Sequence, residues 1–391
     1  MNFKHLSERG ATLRHLIVGI LGVQAVCLGS AQALTINLND IGGVTDTSAE
    51  TGFQEAASFW ESMFTDSVTV NLDVGFRSLS PGVLEQTDST LIQTQYADTL
   101  NAMQADATSA SDIEATTSLE KGTLDYLGVK TFDVIINRTQ DNPNGVFVAE
   151  PYLDNDFGYN NSTNYMTSAN AKALGLLAAN DPLADGEISF NSDFAFDFNR
   201  GDGIAGGTID FVGVAIHEIG HALGFVSGVD YLDSTSPRLG EGGSGDDDEY
   251  LSSTLDLFRY SELSSYGRVI DMSADTREKY FSIDRGVTNL GFFSTGVNFG
   301  DGRQAGHWQD NLGLGIMDPT LASGEFGFIT DRDILALDVI GWDINFDTPV
   351  VPVPASLPLF ATALAGLGFL RYRRRRAKAS QSNNISKLET S

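Results

Sequence analysis

Cysteine is almost missing from this sequence: one residue, Cys27, in 391. It lies inside an N-terminal apolar run, so a chain that starts after that run has none. Disulfide staples and a cysteine-based latency switch are thereby excluded. Basic residues are scarce too. Lys and Arg number 24 against 52 Asp and Glu, and without residues 1–33 and 351–391 the counts are 14 and 50, a net charge near −36. Phosphate backbones and anionic surfaces need basic patches, so nucleic acid is excluded as a partner. Such acidity suits a soluble exported chain, and clustered Asp and Asn are of the kind that bind calcium. Long apolar runs occur only near the two ends. Even so, 41% of residues are hydrophobic and 10% aromatic, a globular composition long enough for one large domain or two modest ones.

Both ends read as addressing segments. Lys4, Arg9 and Arg14 flank an apolar run, Leu16 to Leu28, and Ala31-Gln32-Ala33 supplies a small-x-small cleavage site. A secretory signal peptide over residues 1–33 is expected, with the mature chain beginning near Leu34. An N-terminal membrane anchor is the other reading, for which the run is short. At the far end, Pro352-Val353-Pro354 precedes an apolar stretch, Ala355 to Leu370, and then Arg371 and Arg373 to Arg376. Sixteen helical residues span roughly 24 Å, short of a bilayer core of about 30 Å, although flanking arginines can snorkel. This order resembles the PEP-CTERM sorting signal of Gram-negative bacteria, with valine in place of the usual central glutamate. The resemblance implies a cell-surface or extracellular protein and at least transient membrane contact over 347–378. It also implies an exosortase-type sorting enzyme as partner, with 379–391 left as a polar tail. A plain single-pass C-terminal anchor is the alternative.

Between the ends, helical and strand patterns mix. Apolar spacing predicts helices over Phe53 to Phe64, Tyr96 to Ala107, Ala169 to Ala178 and Arg332 to Ile344. Alternation and β-branching predict strands over Val68 to Phe76, Phe132 to Arg138 and Glu187 to Phe198. "SPRLGEGGSGDDDE" is a polar loop, and "TLDLFRYSEL" a short helix or turn. Asp197, Asp202 and Asp246 to Asp248 could form calcium loops, although a solvated acidic loop is the commoner outcome.

One motif carries chemistry. In "IDFVGVAIHEIGHALGFVSGVD", Ile209 to Asp230, His217, Glu218 and His221 form H-E-x-x-H on a predicted helix, Phe211 to Ala222, which Gly224 can end with a sharp turn. Residues four apart share a helix face, so both imidazoles reach one ion, and Glu218 sits beside them as a proton acceptor. Catalytic zinc commonly takes three protein ligands and keeps a fourth position open. The chain has five histidines, and His5 and His15 fall in the signal segment. His307, in "AGHWQDNLGLGIMDPTLASG", is therefore the candidate third ligand.

After His307 comes "IMDP", Ile316 to Pro319, with its methionine ten residues on. H-E-x-x-H-x-x-G-F, a long insertion, then H-W and x-M-x-P resembles the leishmanolysin-like branch of the metzincin metalloproteases. The residues that carry the resemblance are His217, Glu218, His221, Gly224, Phe225, His307, Trp308, Met317 and Pro319. In the commonest metzincin pattern the third histidine falls ten residues after the first, where this chain has Ser227. Asp230 lies three residues too late for the aspartate variant. Glu241 and Glu249 lack the helix that a glutamate-completed site uses. Here the gap from His221 to His307 is 86 positions, matching the inserted segment of the leishmanolysin-like branch.

The resemblance implies an α+β zincin. An N-terminal subdomain, 34–227, would hold a twisted mixed sheet and the active-site helix. A C-terminal subdomain, 228–346, would hold the third ligand, a methionine turn and a terminal helix. His217, His221 and His307 would bind Zn2+, Glu218 would act as general base, and Met317 would floor the site. A polypeptide substrate would lie along an edge strand, for which Glu187 to Phe198 is the candidate. The expected activity is that of a secreted zinc metalloendopeptidase. The alternatives are a non-catalytic zinc-binding surface or matrix protein and a zinc hydrolase of another bond type.

Overall fold

In the computed structural model, residues 33–236 and 245–346 are described. The expected signal and sorting segments, most of the polar loop and Glu241 lie outside them.

The first long helix shows how the chain builds its core. Thr47 caps Ser48–Met63 by accepting from the Ala49 N–H, and Glu50 sits in the first turn, where the helix dipole favours an anion. Ala49, Phe53, Ala56, Ala57, Trp60 and Met63 recur at helical spacing and are buried, giving one apolar face. The helix ends at Phe64, which turns extended and bridges to Ile344. The strand Thr69–Arg77 alternates as expected: Val70, Leu72 and Val74 are buried, and Asn71 and Asp73 are partly exposed.

That strand belongs to a four-stranded sheet ordered Thr35–Gly42, Thr69–Arg77, Gly186–Asn191, Glu85–Ser89. The first three run parallel and the last is antiparallel to its neighbour. Two helices pack against each other beside it: Ser48–Met63 and the motif helix, Phe211–Leu223. Phe53 meets Phe211 edge-on at 5.1 Å. A β-carbon on Gly52 would lie 2.4 Å from the Phe211 ring, so only glycine permits this approach. The buried Trp60 indole donates to the Ile216 carbonyl at 3.0 Å and pins the motif helix to the first one.

The chain is thus α+β, with smaller sheets around the main one. Val134–Ile136 pairs in parallel with Ile270–Asp271 and antiparallel with Tyr152–Asp154. This sheet joins elements from both sides of the expected 227/228 division. Arg259–Tyr260, Lys279–Phe281 and Gly291–Phe293 form an antiparallel sheet, and Phe293 bridges from it to Trp308, next to His307.

Several expected elements are shorter than their patterns suggested. Glu187 to Phe198 is two strands, Gly186–Asn191 and Phe196–Asp197, because the chain turns between them. Gly186–Asn191 is also interior to the sheet. The edge position expected of it belongs to Glu85–Ser89, whose polar, half-exposed sequence hid it. The helix expected over Ala169 to Ala178 stops at Ala173, and Gly175 follows at φ +67°. The terminal helix is Asp331–Asp338 and does not reach Ile344, since the chain turns at Gly341, φ +114°. Of Phe132 to Arg138, the ladder takes only Val134–Ile136. Among the described residues, no helix is long and apolar enough to cross a membrane.

Candidate metal centre

The motif helix begins at a buried aspartate. Asp210 caps it, accepting from the Gly213 N–H at 2.9 Å and also from the Gly327 N–H at 3.0 Å. It ends at Gly224, φ +126°. That left-handed step turns the chain so that the Phe225 carbonyl points back at the helix and accepts from His221 Nδ1 at 2.7 Å. The glycine that ends the helix therefore also orients a site histidine.

His217 and His221 lie one turn apart, and their Nε2 atoms are 3.0 Å from each other. His307 arrives from the remote loop. Its Nε2 lies 3.2 Å from that of His217 and 3.1 Å from that of His221. The other ring nitrogens all face backbone carbonyls: His217 Nδ1 lies 2.7 Å from Ile316 O, and His307 Nδ1 lies 3.3 Å from Gln304 O. A carbonyl only accepts, so each Nδ1 carries the hydrogen and each Nε2 presents a lone pair. Three lone pairs then converge on one point with no hydrogen between them, which repels unless a cation sits there. Three nitrogens bound tetrahedrally at the usual 2.0–2.1 Å stand roughly 3.3 Å apart, close to the spacing here. Burial pushes the ring pKa values down, that of His221 to about 3, which holds the imidazoles neutral as ligands must be. The residues fit zinc.

Glu218 is 4% exposed, with Oε1 4.0 Å from His217 Nε2. Burial lifts its pKa to about 7. The Thr87 hydroxyl on the edge strand opposes this, although its own oxygen makes no hydrogen bond of standard geometry. Glu85, on the same strand, is raised to about 7, first by burial and then by the charge of Glu218. The edge strand therefore forms one wall of the site.

Met317 lies under the motif helix, fully buried. A β-carbon on Gly220 would come within 2.7 Å of the Met317 sulfur and 3.6 Å of Trp60, so the glycine inside H-E-x-x-H makes room for the methionine. Trp308 donates its backbone N–H to Met317 O at 2.9 Å, and its ring packs edge-on against Phe225 at 5.0 Å.

Two supporting residues escaped the sequence reading. From its spacing, Asp230 offers itself only as a would-be zinc ligand. Its carboxylate instead accepts from the N–H groups of Ala305, at 2.6 Å, and Gly306, at 3.0 Å, directly before His307. Asp333, buried on the terminal helix, accepts from Trp308 Nε1 at 2.8 Å, from Ile316 N at 3.0 Å, from Met317 N at 3.2 Å and from Thr330 N at 2.7 Å. The only local signal for Asp333 is its place three residues after Thr330, a capping-box spacing. Ser227, the position that commonly holds the third histidine, donates to Asp256 at 2.7 Å. Glu249 ends a 3₁₀ turn, Asp247–Glu249, and belongs to no histidine-containing ligand group among the described residues.

Of the expected calcium residues, Asp197 bonds backbone N–H groups of Asn199 and Ala205, both at 2.9 Å. Asp202 closes a short 3₁₀ turn, and neither joins a group of converging ligands among the described residues. Asp246 and Asp247 do join such groups. Comparison of the chain with protein-family models, curated proteins and solved structures found no match.

Proposed function

We propose that this protein is a zinc-dependent endopeptidase of metzincin-like, leishmanolysin-type architecture, acting outside the cell or at its surface. The observation that carries the reading is the triangle of three neutral imidazole nitrogens, 3.0–3.2 Å on a side, with a buried carboxylate next to it. A purely structural zinc site has no need of that carboxylate, and it usually closes with a fourth protein ligand.

His217, His221 and His307 would hold the ion. Zinc there supplies Lewis acidity toward a scissile carbonyl and toward water. The remaining work falls to the chain. Glu218, poised near neutrality by burial, takes a proton from the attacking water and passes it to the leaving amine. The carbonyls of Ile316, Phe225 and Gln304 keep the three rings in one tautomer throughout. Asp230 and Asp333 hold the two loops that bring His307 and Met317 to the helix. Among the described residues Glu85–Ser89 has a strand neighbour in its sheet on one side alone, so an extended substrate would add as a further strand on the other. Glu85 and Thr87 would then face the scissile region.

Zinc content and casein cleavage test this together. Wild type should bind one zinc per chain and cleave casein, His307→Ala should lose tight zinc binding, and Glu218→Ala should keep zinc and lose cleavage. A wild type that binds no zinc, or that is loaded yet inert on every peptide tried, sinks the reading. Unchanged tight binding in His307→Ala removes the third ligand from it.

A further inference from the structure

Besides the histidines, two groups of metal-type ligands share Asp247: one with Asp141 and Asp246, and one, around Gly158, with Asp154 and Asp156. Ligand oxygens of Asp154, Asp156 and Asp247 all lie within 4.8 Å of one another. Asp154 is 2% exposed and Asp247 is 4% exposed, so two of the three carboxylates are shut away from solvent. The charges acting most strongly on them are other carboxylates: Asp247 and Asp156 on Asp154, and Asp141, Asp156 and Asp248 on Asp247. Burial in that company lifts Asp154 to about 7 and Asp247 to about 6. Buried carboxylates so arranged need a cation or protons.

A carboxylate cluster alone would not single out a metal site, but two further features do. The first is Asn160, 2% exposed, whose Oδ1 has no hydrogen-bond partner although its Nδ2 donates to Asp154 Oδ2 at 2.6 Å. The amide cannot turn round, since an oxygen facing that carboxylate would repel it. Its free oxygen is therefore held among the acids. The second is Gly158. Its backbone angles, φ −67° and ψ −179°, suit any residue, so conformation does not require glycine here. Space does: a β-carbon would stand 2.4 Å from Asp248 Oδ1 and 2.9 Å from both Asn160 Oδ1 and Asp156 Oδ1. Glycine lets Asp156 Oδ1, which accepts from Gly158 N at 2.8 Å, and Asp248 Oδ1, which accepts from Tyr159 N and Asn160 N, come close beside the Asn160 oxygen.

We infer that this pocket binds calcium, with Asp154, Asp156, Asp247 and the Asn160 amide oxygen as ligands. An all-oxygen set favours a hard cation over a soft one, and direct coordination by several carboxylates suits Ca2+ better than Mg2+, which keeps most of its water. Asp247 lies near the end of the polar loop and Asp154 in the sheet with Val134–Ile136, so the ion would tie the inserted segment to the N-terminal half of the fold.

The test uses zinc-loaded protein titrated with Tb3+ and Ca2+. The Tyr152 hydroxyl lies 2.5 Å from Asp247 Oδ2, close enough to sensitise bound terbium. One equivalent of Tb3+ should give luminescence that Ca2+ displaces and equal Mg2+ does not, and Ca2+ should raise Tm. Asp156→Asn, at an exposed position, should weaken Ca2+ at least tenfold while zinc content stays at wild type. Gly158→Ala should do the same by filling the cradle. Tyr152→Phe should lose the light but keep the Ca2+-dependent rise in Tm. A wild type with no Ca2+-dependent change up to millimolar concentration overturns the inference, as does unaltered Ca2+ affinity in both the Asp156 and Gly158 variants.

Discussion

Asparagine in place of Asp333 would test whether the centre is assembled from behind. One carboxylate oxygen takes Trp308 Nε1 and Met317 N; the other takes Thr330 N and Ile316 N. The amide keeps one oxygen and turns an NH2 toward two donors. Each hydrogen bond to a charged acceptor is worth about 1.5–3 kcal/mol, so two lost bonds cost about 3–6 kcal/mol. Removing a buried charge works the other way, since burial is what raises the Asp333 pKa. The loss should win, because at least one stranded donor is a backbone N–H that cannot turn to water. A net destabilisation of about 3 kcal/mol is expected, about 4–5 °C in Tm for a chain of this size. The effect should reach the metal. Ile316 supplies the carbonyl that orients His217, and Trp308 adjoins His307, so zinc affinity should fall about 10–100-fold. Urea unfolding and competition with a zinc chelator measure the two quantities. Trp308→Phe removes one of these bonds, about 1.5–3 kcal/mol, and also leaves a cavity at a fully buried position, so it should cost a similar amount while sparing the backbone N–H groups. If Asp333→Asn unfolds within 0.5 kcal/mol of wild type and holds zinc equally well, the clamp has been misread.

Three other outcomes follow from named contacts. Glu218→Gln should keep zinc and lower peptide cleavage by about 10²–10⁴-fold, read as kcat on a quenched peptide; retained activity would move the base elsewhere. Asp230→Ala strands the N–H groups of Ala305 and Gly306, at about 1–3 kcal/mol each, so chelator competition should show weaker zinc; equal affinity would make Asp230 a bystander. The third concerns pH. Burial raises Asp66 to about 8, and Asp106 and Asp338 to about 7, all above their unfolded values. Their protonated forms favour the folded chain, so this stability is full below about pH 4 and is lost as pH rises through 7 to 8. Asp66→Asn should flatten the fall in urea stability between pH 5 and pH 8; an unchanged slope would mean Asp66 is already ionised in the folded state at pH 5.

The residues alone determined the motif helix and its stop. H-E-x-x-H, the buried apolar positions and Gly224 act within a turn or two of one another, and helix geometry fixes what they can do at that range. Elimination also pointed to His307, since no other histidine outside the N-terminal segment was left. What only the folded chain decided is everything that depends on distant partners. The polar stretch Glu85–Ser89 became the sheet edge beside Glu218, while the more strand-like 186–191 went inside. Asp230 and Asp333 became clamps for loops 75 and 16 residues away in sequence. Strand order and loop closure are set by which buried surfaces and donors meet across the whole chain. No local period records that choice, so such residues look like ordinary acids until the fold brings their partners to them.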